Sequence, residues 1–255
     1  MQRDFFWKEL LGDKMIKLIN VTKIFGKKVA LRSINLEIAD GETLAIIGGS
    51  GSGKSTLLRL MIGLIKPTSG EIWIGNNEIS HLDEREMMRV RLRMGMVFQY
   101  SALFDSMTVG DNVAFGLIEH TNYSNEKIQT IVKEKLSQVG FEGVENRMPN
   151  ELSGGMKKRV SLARAIAFGP EIIFYDEPSS GLDPITTNRI DELIIETQRA
   201  LKVTSIVVTH DMVSACRIAN RIAMVYNGEL IAVDTPDNFK KIQDKRVKEF
   251  FRLID

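Results

Sequence analysis

A glycine-rich stretch between an apolar run and a helical pattern is the feature that most limits the folds open to this chain. Residues 48–55, Gly-Gly-Ser-Gly-Ser-Gly-Lys-Ser, fit the pattern G-x-x-x-x-G-K-[ST]. The apolar run at residues 43–47 predicts a buried strand, and Leu57, Leu58 and Met61 recur at helical spacing. Glycines let the backbone curl so that successive N–H groups point inward at phosphate oxygens. The segment therefore predicts a strand, a phosphate-binding loop and a helix in succession.

The side chains of this loop have predicted roles in holding a nucleotide. Lys54 would reach the β- and γ-phosphates, and the Ser55 hydroxyl would ligate Mg²⁺. The helix that begins near Gly53 would add the positive end of its dipole. The predicted nucleotide contacts in this segment are Gly48, Gly49, Ser50, Gly51, Ser52, Gly53, Lys54, Ser55 and Thr56.

Two acidic residues follow a second apolar run. Residues 172–175 read Ile-Ile-Phe-Tyr, which predicts a buried strand, and Asp176 and Glu177 come directly after it. Phosphate chemistry needs a carboxylate near the metal and a group that activates water. We therefore expect Asp176 to hold Mg²⁺ through its water shell and Glu177 to orient or deprotonate the attacking water. An Asp-Glu pair after a strand is more often a solvated turn, but the phosphate-binding loop favours the catalytic interpretation.

Alternating apolar runs and helical patterns predict an α/β fold with a largely parallel sheet. Residues 205–208 predict another central strand, and residues 221–234 predict two strands joined by a turn at Asn227-Gly228. Mostly helical patterning between about residues 108 and 168 indicates a helical subdomain inserted into the α/β core. We expect a single domain over residues 1–255, divided into an α/β core at 1–98 and 169–235, a helical subdomain at about 99–168 and a tail at 236–255.

Composition and charge argue against several classes of protein. The chain has 34 basic and 33 acidic side chains, and so weak a balance argues against a nucleic-acid partner bound by phosphate neutralisation. The single cysteine, Cys216, excludes an intrachain disulfide and is interpreted as a small packed residue. No apolar run reaches the roughly 18 residues of a membrane span. Residues 1–14 lack the pattern of a secretory signal, so we expect a cytoplasmic protein.

The two ends of the chain leave alternatives open. Met15 would be the true start if residues 15–19 open the first strand. Residues 5–11 would otherwise form a short amphipathic helix. A helix packed on its own domain, or the later start, is favoured over a helix that lies on a membrane surface. The aromatic residues Phe250 and Phe251 are interpreted as local packing, with pairing to a second copy as the alternative.

Several short motifs resemble those of the ATP-binding cassette (ABC) family, and the resemblance covers nearly the whole chain. Residues 152–156, Leu-Ser-Gly-Gly-Met, resemble the LSGGQ signature and precede the strand at 172–175 by the family's spacing. Gln99 matches the Q-loop glutamine, residues 180–183 match the D-loop, and His210 matches the switch histidine.

This resemblance implies an ABC ATPase architecture on a P-loop (RecA-like) core. Two copies would stack head to tail with ATP and Mg²⁺ between one copy's loop and the other's signature. His210 would contact the γ-phosphate and position the water with Glu177, the second catalytic residue. The resemblance implies Mg²⁺ ligation by Ser55, Gln99 and Asp176. It places Phe25 where an aromatic ring would stack on adenine. The further nucleotide contacts that it implies are Gln99, Ser153, Gly154, Gly155 and Asp183.

The chain departs from the family pattern at two positions. Met156 replaces the last glutamine of the signature, which removes a polar side chain but keeps the Ser-Gly-Gly backbone. We therefore expect function to survive this change. Gly181 replaces the commoner alanine and would loosen the D-loop slightly.

Residues 98–115 and the methionine-ended signature resemble the ATPases of Mla-type lipid transporters. This resemblance implies phospholipid transport through an integral membrane permease, with an MCE-domain lipid-binding partner and attachment to the cytoplasmic face of the inner membrane. One alternative is the ATPase of a small-solute importer, which keeps every catalytic assignment and changes the cargo. Another is a soluble ABC ATPase of the iron–sulfur assembly type.

Overall fold

A computed structural model describes residues 16–252, with side chains described as far as Phe250. The alternatives for residues 1–15, including the start at Met15, and the side chain of Phe251 lie outside the described residues. The chain divides into two compact units. Unit 1 comprises the residues up to Arg91 and from Thr204 onward, and unit 2 comprises Leu92–Val203.

Strands and helices alternate along the described residues. The strands are β1 (Ile16–Phe25), β2 (Lys28–Ile38), β3 (Thr43–Ile47), β4 (Ser69–Ile74), β5 (Asn77–Glu78), β6 (Met94–Val97), β7 (Ile172–Asp176), β8 (Thr204–Val208), β9 (Arg221–Tyr226) and β10 (Glu229–Asp234). The helices are α1 (Lys54–Met61), α2 (Glu84–Arg91), α3 (Val109–His120), α4 (Asn125–Gln138), α5 (Gly154–Ile166), α6 (Pro184–Leu201), α7 (Met212–Ile218), α8 (Pro236–Phe239) and α9 (Lys245–Arg252). None of the helices within residues 16–252 is both long enough and apolar enough to cross a membrane.

Unit 1 contains antiparallel and parallel strand pairings. The antiparallel sheet has the order β2-β1-β4-β5. The other strands of unit 1 pair around β3, which is parallel to both β8 and β9, while β10 pairs antiparallel with β9. Every residue of β3 and β8 is buried, as expected for strands covered on both faces. The central strands predicted at residues 43–47 and 205–208 are therefore confirmed.

The turn between β9 and β10 joins this strand pair to the glycine-rich loop. Asn227 and Gly228 both have positive φ, at 48° and 81°, which suits a two-residue hairpin turn. The Gly228 N–H donates to the carbonyl of Ser52 at 2.8 Å, and the Arg32 N–H donates to the carbonyl of Gly228 at 2.7 Å. A Cβ at position 228 would lie 2.7 Å from the carbonyl oxygen of Ala30, so glycine is required. The predicted hairpin and its turn are confirmed.

The tail packs against the hydrophobic core of unit 1. Val247 of α9 is 1% exposed, and Phe250 and Cys216 pack against the same cluster. Local packing is therefore confirmed for Phe250, and Cys216 is a packed residue as predicted. The buried members of this cluster are Ala45, Ile47, Met212, Ala215, Ile222, Met224, Phe239 and Val247.

Unit 2 combines a parallel strand pair with mutually packed helices. β6 pairs with β7, and α3, α4 and α5 pack on one another through buried apolar residues such as Val113, Val132 and Val160. Helix α5 also packs closely on β6, because a Cβ at Gly95 would lie 2.6 Å from the carbonyl oxygen of Ala165. The helical patterning of this region is confirmed, while the domain limits at residues 98 and 168 remain a prediction.

Candidate nucleotide-binding site

The glycine-rich loop of unit 1 lies between the end of β3 and the start of α1. Gly48, Gly51 and Gly53 have φ values of 149°, 74° and 117°, which side-chain-bearing residues rarely adopt. A Cβ at Gly48 would lie 2.2 Å from the carbonyl oxygen of Val225, so the loop also needs the missing side chain there. Helix α1 has no side-chain cap at its N-cap residue Gly53. Its first N–H groups and dipole therefore suit an anion.

Two polar side chains of this loop fit a phosphate ligand. The Lys54 ammonium donates hydrogen bonds to the carbonyl oxygens of Gly48 and Gly49, at 2.7 and 3.1 Å. The positive charge is thereby held over the loop by a side chain that is largely buried. The Ser52 hydroxyl is buried without a hydrogen-bond partner among the residues that the structure describes. Such an unsatisfied hydroxyl carries a desolvation cost that a polar ligand offsets.

A cleft of about 570 Å³ opens beside the loop and is lined by residues of unit 1 alone. This volume lies in the range of roughly 300–1,000 Å³ that is usual for small-molecule sites. Its lining includes basic side chains and no acidic ones, which favours an anionic ligand: Phe25, Lys28, Val29, Ala30, Arg32, Gly51, Ser52, Gly53, Lys54, Ser55, Thr56, Asn227 and Gly228. Phe25 lines this cleft and is 49% exposed, so it is accessible to an aromatic base.

The predicted switch histidine, His210, follows β8 at the same end of the sheet as the loop. β3 and β8 run in parallel with Ile46 opposite Val208, and the Thr209 N–H donates to the carbonyl of Ile46 at 3.1 Å. His210 is exposed. The next residue, Asp211, caps α7 by accepting from the N–H groups of Val213 and Ser214. The end of β8 is thereby fixed while the imidazole stays accessible.

In unit 2 the acidic pair lies at the end of β7, beside a buried lysine. Glu177 has a φ of 48°, a left-handed conformation that is uncommon for a residue other than glycine. The Lys158 ammonium of α5 donates to the carbonyl of Glu177 at 3.3 Å and also to the carbonyl of Gln99. Burial lowers the pKa of Lys158, while the charges of Asp176 and Glu177 act in the opposite direction. Lys158 therefore joins the predicted metal ligand Gln99 to the predicted water-activating residue.

The segment after Gln99 is held by a second cation of α5. Ser101 and Ala102 have positive φ values of 62° and 47°. The Arg164 guanidinium donates to both of their carbonyl oxygens, at 2.9 and 2.6 Å. The Gln99 side chain donates to the Ser180 hydroxyl at 3.4 Å.

Sequence reasoning missed both Lys158 and Arg164. The available signal was weak: Lys158 lies on the apolar stripe of α5, one and two turns before Leu162 and Ile166, where a lysine is out of place. No comparable signal in the sequence marked Arg164.

The signature segment begins α5. The Ser153 hydroxyl caps the helix by accepting from the Met156 N–H at 3.3 Å, and both Ser153 and Gly154 are exposed. A Cβ at Gly155 would lie 2.6 Å from the Cγ2 atom of Thr186, so this glycine permits close packing. The start of α5 is thus exposed at Ser153 and Gly154, while Gly155 packs against α6.

Asp183 has a clear local role at the start of α6. Its carboxylate accepts from the N–H groups of Ile185 and Thr186, each at 3.0 Å, and from the Thr186 hydroxyl at 2.5 Å. The hydrogen bond from the Thr186 side chain holds the pKa of Asp183 below its ordinary value. Asp183 therefore caps α6, and its contact with a nucleotide remains a prediction.

The predicted metal ligands are a hydroxyl, an amide and a carboxylate, not a cluster of acidic or imidazole side chains. Within residues 16–252, no group of three or more His, Cys, Asp or Glu side chains is arranged to hold a metal ion. Mg²⁺ commonly binds through one or two carboxylates together with substrate phosphates and water. Each of the three residues, Ser55, Gln99 and Asp176, therefore carries an oxygen donor of the kind that Mg²⁺ takes, and their binding of one ion remains a prediction.

Comparison with known proteins identifies the family. A family model described as ABC transporter matches residues 31–180. The chain is 42% identical over 242 residues to the intermembrane phospholipid transport system ATP-binding protein MlaF of Haemophilus influenzae, covering 95% of this chain and 92% of that protein. It is 44% identical over 218 residues to the methionine import ATP-binding protein MetN of Carboxydothermus hydrogenoformans, covering 85% of this chain and 64% of that protein.

A solved structure supports the same assignment. An ATP-binding cassette whose dimer was determined in a post-hydrolysis state, bound to ADP and Pi, matches with a TM-score of 0.80 and 37% identity. The match covers 87% of this chain and 98% of that chain. The P-loop ABC ATPase fold expected from the short motifs is therefore confirmed. The chain belongs to the ABC transporter family, and within it to the cassettes that bind and hydrolyse ATP.

Proposed function

We propose that this ATPase energises phospholipid transport through a separate membrane permease. The observation that carries the proposal is the 42% identity to the phospholipid-transport protein MlaF, which extends over nearly the full length of both chains. The resemblance of residues 98–115 to Mla-type ATPases supports the same cargo. The segment contains the predicted metal ligand Gln99, and the loop around it would contact the permease. Its sequence would therefore reflect which permease the ATPase binds.

Residues of both units would take part in ATP hydrolysis. In unit 1, the loop backbone and Lys54 would hold the phosphates, the exposed ring of Phe25 would stack on adenine, and His210 would contact the γ-phosphate. In unit 2, Glu177 would orient or deprotonate the attacking water. A bound Mg²⁺, held by Ser55, Gln99 and Asp176, would neutralise charge that develops on the phosphate oxygens.

The active form would be a head-to-tail pair of this chain. The accessible Ser153 and Gly154 at the start of α5 support this arrangement, because an exposed helix N-terminus can bind the phosphates of a nucleotide held by a second copy. The dimer of the related cassette bound to ADP and Pi supports it as well. ATP would close the pair, and loss of the γ-phosphate contacts would let it relax.

The permease would bind the exposed aromatic surface of unit 2. Tyr100 is 87% exposed, and the partly exposed rings of Phe104 and Phe115 lie 4.9 Å apart. Contiguous apolar side chains of this kind mark surfaces that bind other proteins. Attachment through the permease would place the chain on the cytoplasmic face of the inner membrane, and an MCE-domain lipid-binding protein would complete the transporter.

A small-solute importer is the second candidate. The 44% identity to the methionine import protein MetN favours it, although that alignment covers less of both chains. Every catalytic assignment would stay the same, and only the cargo and the membrane partner would differ.

A tagged pull-down from detergent-solubilised membranes of the native host tests the cargo. Mass spectrometry would identify the proteins and lipids recovered with the chain. We expect a polytopic permease, an MCE-domain protein and phospholipid. A permease recovered with a solute-binding protein would replace phospholipid by a small solute. Recovery in the soluble fraction without any membrane protein would overturn the transporter assignment in favour of a soluble role such as iron–sulfur assembly.

A further inference from the structure

We propose that Lys158 is a positioning residue for ATP hydrolysis, tying the backbone of the loop at Gln99 to the backbone of Glu177. The proposal rests on the assignment of Glu177 to water activation under the proposed function. It is independent of the transported substrate. Lys158 would touch neither ATP nor the water. It would act by fixing where Glu177 lies.

The contacts of Lys158 are buried and directed at backbone atoms. The residue is 5% exposed, and its ammonium donates to the carbonyl oxygens of Gln99 and Glu177. Hydrogen bonds from a charged donor are roughly twice as strong as those between neutral groups. A neutral residue of the same length would leave both carbonyls without this donor. The single ammonium thus connects two chain segments that lie far apart in the sequence.

The conformation of Glu177 explains why such a tie is needed. Its φ of 48° is sparsely populated by non-glycine residues and persists only when neighbouring groups hold it. Ser101 and Ala102 share this left-handed conformation, and Arg164 binds the carbonyls of both. Each of the two cations of α5 therefore donates to at least one residue with a positive φ.

Because Lys158 and Arg164 belong to one helix, the loop that follows Gln99 and the end of β7 are held to the same rigid element. A displacement of the loop would move the carbonyl of Gln99 against the Lys158 ammonium. The same ammonium would then transmit the displacement to Glu177. Lys158 thereby links the segment bearing the exposed Tyr100 to the residue that activates water.

The test is steady-state ATP hydrolysis by the full-length chain with Lys158→Met. Loss of the tie should lower kcat by about 10- to 100-fold, the range produced by small misplacements of catalytic groups. KM for ATP should change by less than about twofold, because the nucleotide-binding loop is untouched. Lys158→Arg, which keeps a cationic donor, should recover part of kcat. The matched control is Lys157→Met, at a half-exposed lysine of the same helix, which should keep wild-type kcat.

Glu177→Gln separates failure of this inference from failure of the proposed function. If Glu177→Gln keeps wild-type turnover, the assignment of water activation to Glu177 fails. If it abolishes hydrolysis while Lys158→Met keeps wild-type kcat, only the positioning role of Lys158 fails. In the Glu177→Gln background, Lys158→Met should cause no further loss of the residual rate. A further loss would show that Lys158 acts independently of Glu177 and would overturn the inference.

Thermal unfolding of each variant controls for loss of fold. If Lys158→Met does not fold, Lys158→Arg and Lys158→Gln replace it, and the arginine variant should have the higher kcat. Equal kcat values for these two variants would overturn the inference, because the cation would then have no role.

Discussion

Replacement of Gly48 by alanine should destabilise unit 1 far more than the same change at the adjacent Gly49. The φ of 149° at Gly48 lies in a region used almost only by glycine, and a side chain there costs about 1–3 kcal/mol. The new Cβ would also lie 2.2 Å from the carbonyl oxygen of Val225, so β9 or the loop must shift. A loss of about 2 kcal/mol lowers the melting temperature of a chain of this size by about 4–8 °C. At Gly49 a Cβ would meet no atom within 4 Å, so a shift below about 2 °C is expected.

Thermal unfolding without nucleotide measures this difference, and ATP titration measures its effect on the site. The carbonyl of Gly48 accepts from the Lys54 ammonium at 2.7 Å, so displacement of the loop also displaces the charge predicted to bind the phosphates. Gly48→Ala should therefore weaken ATP binding by about tenfold, the effect of losing a single charge-assisted contact. Equal melting temperatures for the two alanine variants would refute the reasoning, because the structure distinguishes the two glycines by their φ and by the space around them.

Further variants test the roles of individual side chains. Lys54→Ala should lower ATP affinity by at least about tenfold, because it removes a charged donor; unchanged affinity in a binding titration would show that the loop is not the site. Ser153→Arg should block the ATP-induced dimer in size-exclusion chromatography, because the large cation occupies the accessible start of α5; normal dimers would contradict the head-to-tail arrangement. Asp183→Ala should lower the melting temperature by about 2–4 °C through loss of the helix cap, while Asp183→Asn should retain it. Reduced ATPase activity in the stable asparagine variant would assign the Asp183 charge a role beyond capping.

The strands, the loop and the hairpin could be predicted because their signals are local in the sequence. The apolar run that became β3, the glycines after it and the helical spacing of Leu57, Leu58 and Met61 lie within one continuous segment. The same holds for Asn227-Gly228, where two adjacent residues determine the turn. Each of these elements depends on backbone preferences of the residues that form it.

The hydrogen bonds of Lys158 and Arg164 in unit 2 could not be predicted because their acceptors are backbone carbonyls. Lys158 and Gln99 are 59 positions apart, and Arg164 and Ala102 are 62 apart. Every residue has a carbonyl group, so neither acceptor position carries a recognisable side chain. Asp183 differs, because its side chain could be recognised in the sequence. Its match to a family motif suggested a nucleotide contact, and the structure shows a carboxylate occupied in capping α6.

Because the hydrogen bonds of Lys54 and Lys158 end on main-chain carbonyl oxygens, substitutions of the donor and of the acceptor residue should have different effects. Lys54 and Lys158 both hold functional loops through main-chain oxygens, so replacing the side chain at an acceptor such as Gln99 leaves the holding contact in place. Truncation at Gln99 would therefore remove the predicted metal ligand without releasing the loop from Lys158. Truncation at Lys158 would remove one of the two cationic contacts of the loop, leaving that of Arg164, without removing a ligand. The two effects are separable, because metal affinity should respond to the first change and the placement of Glu177 to the second.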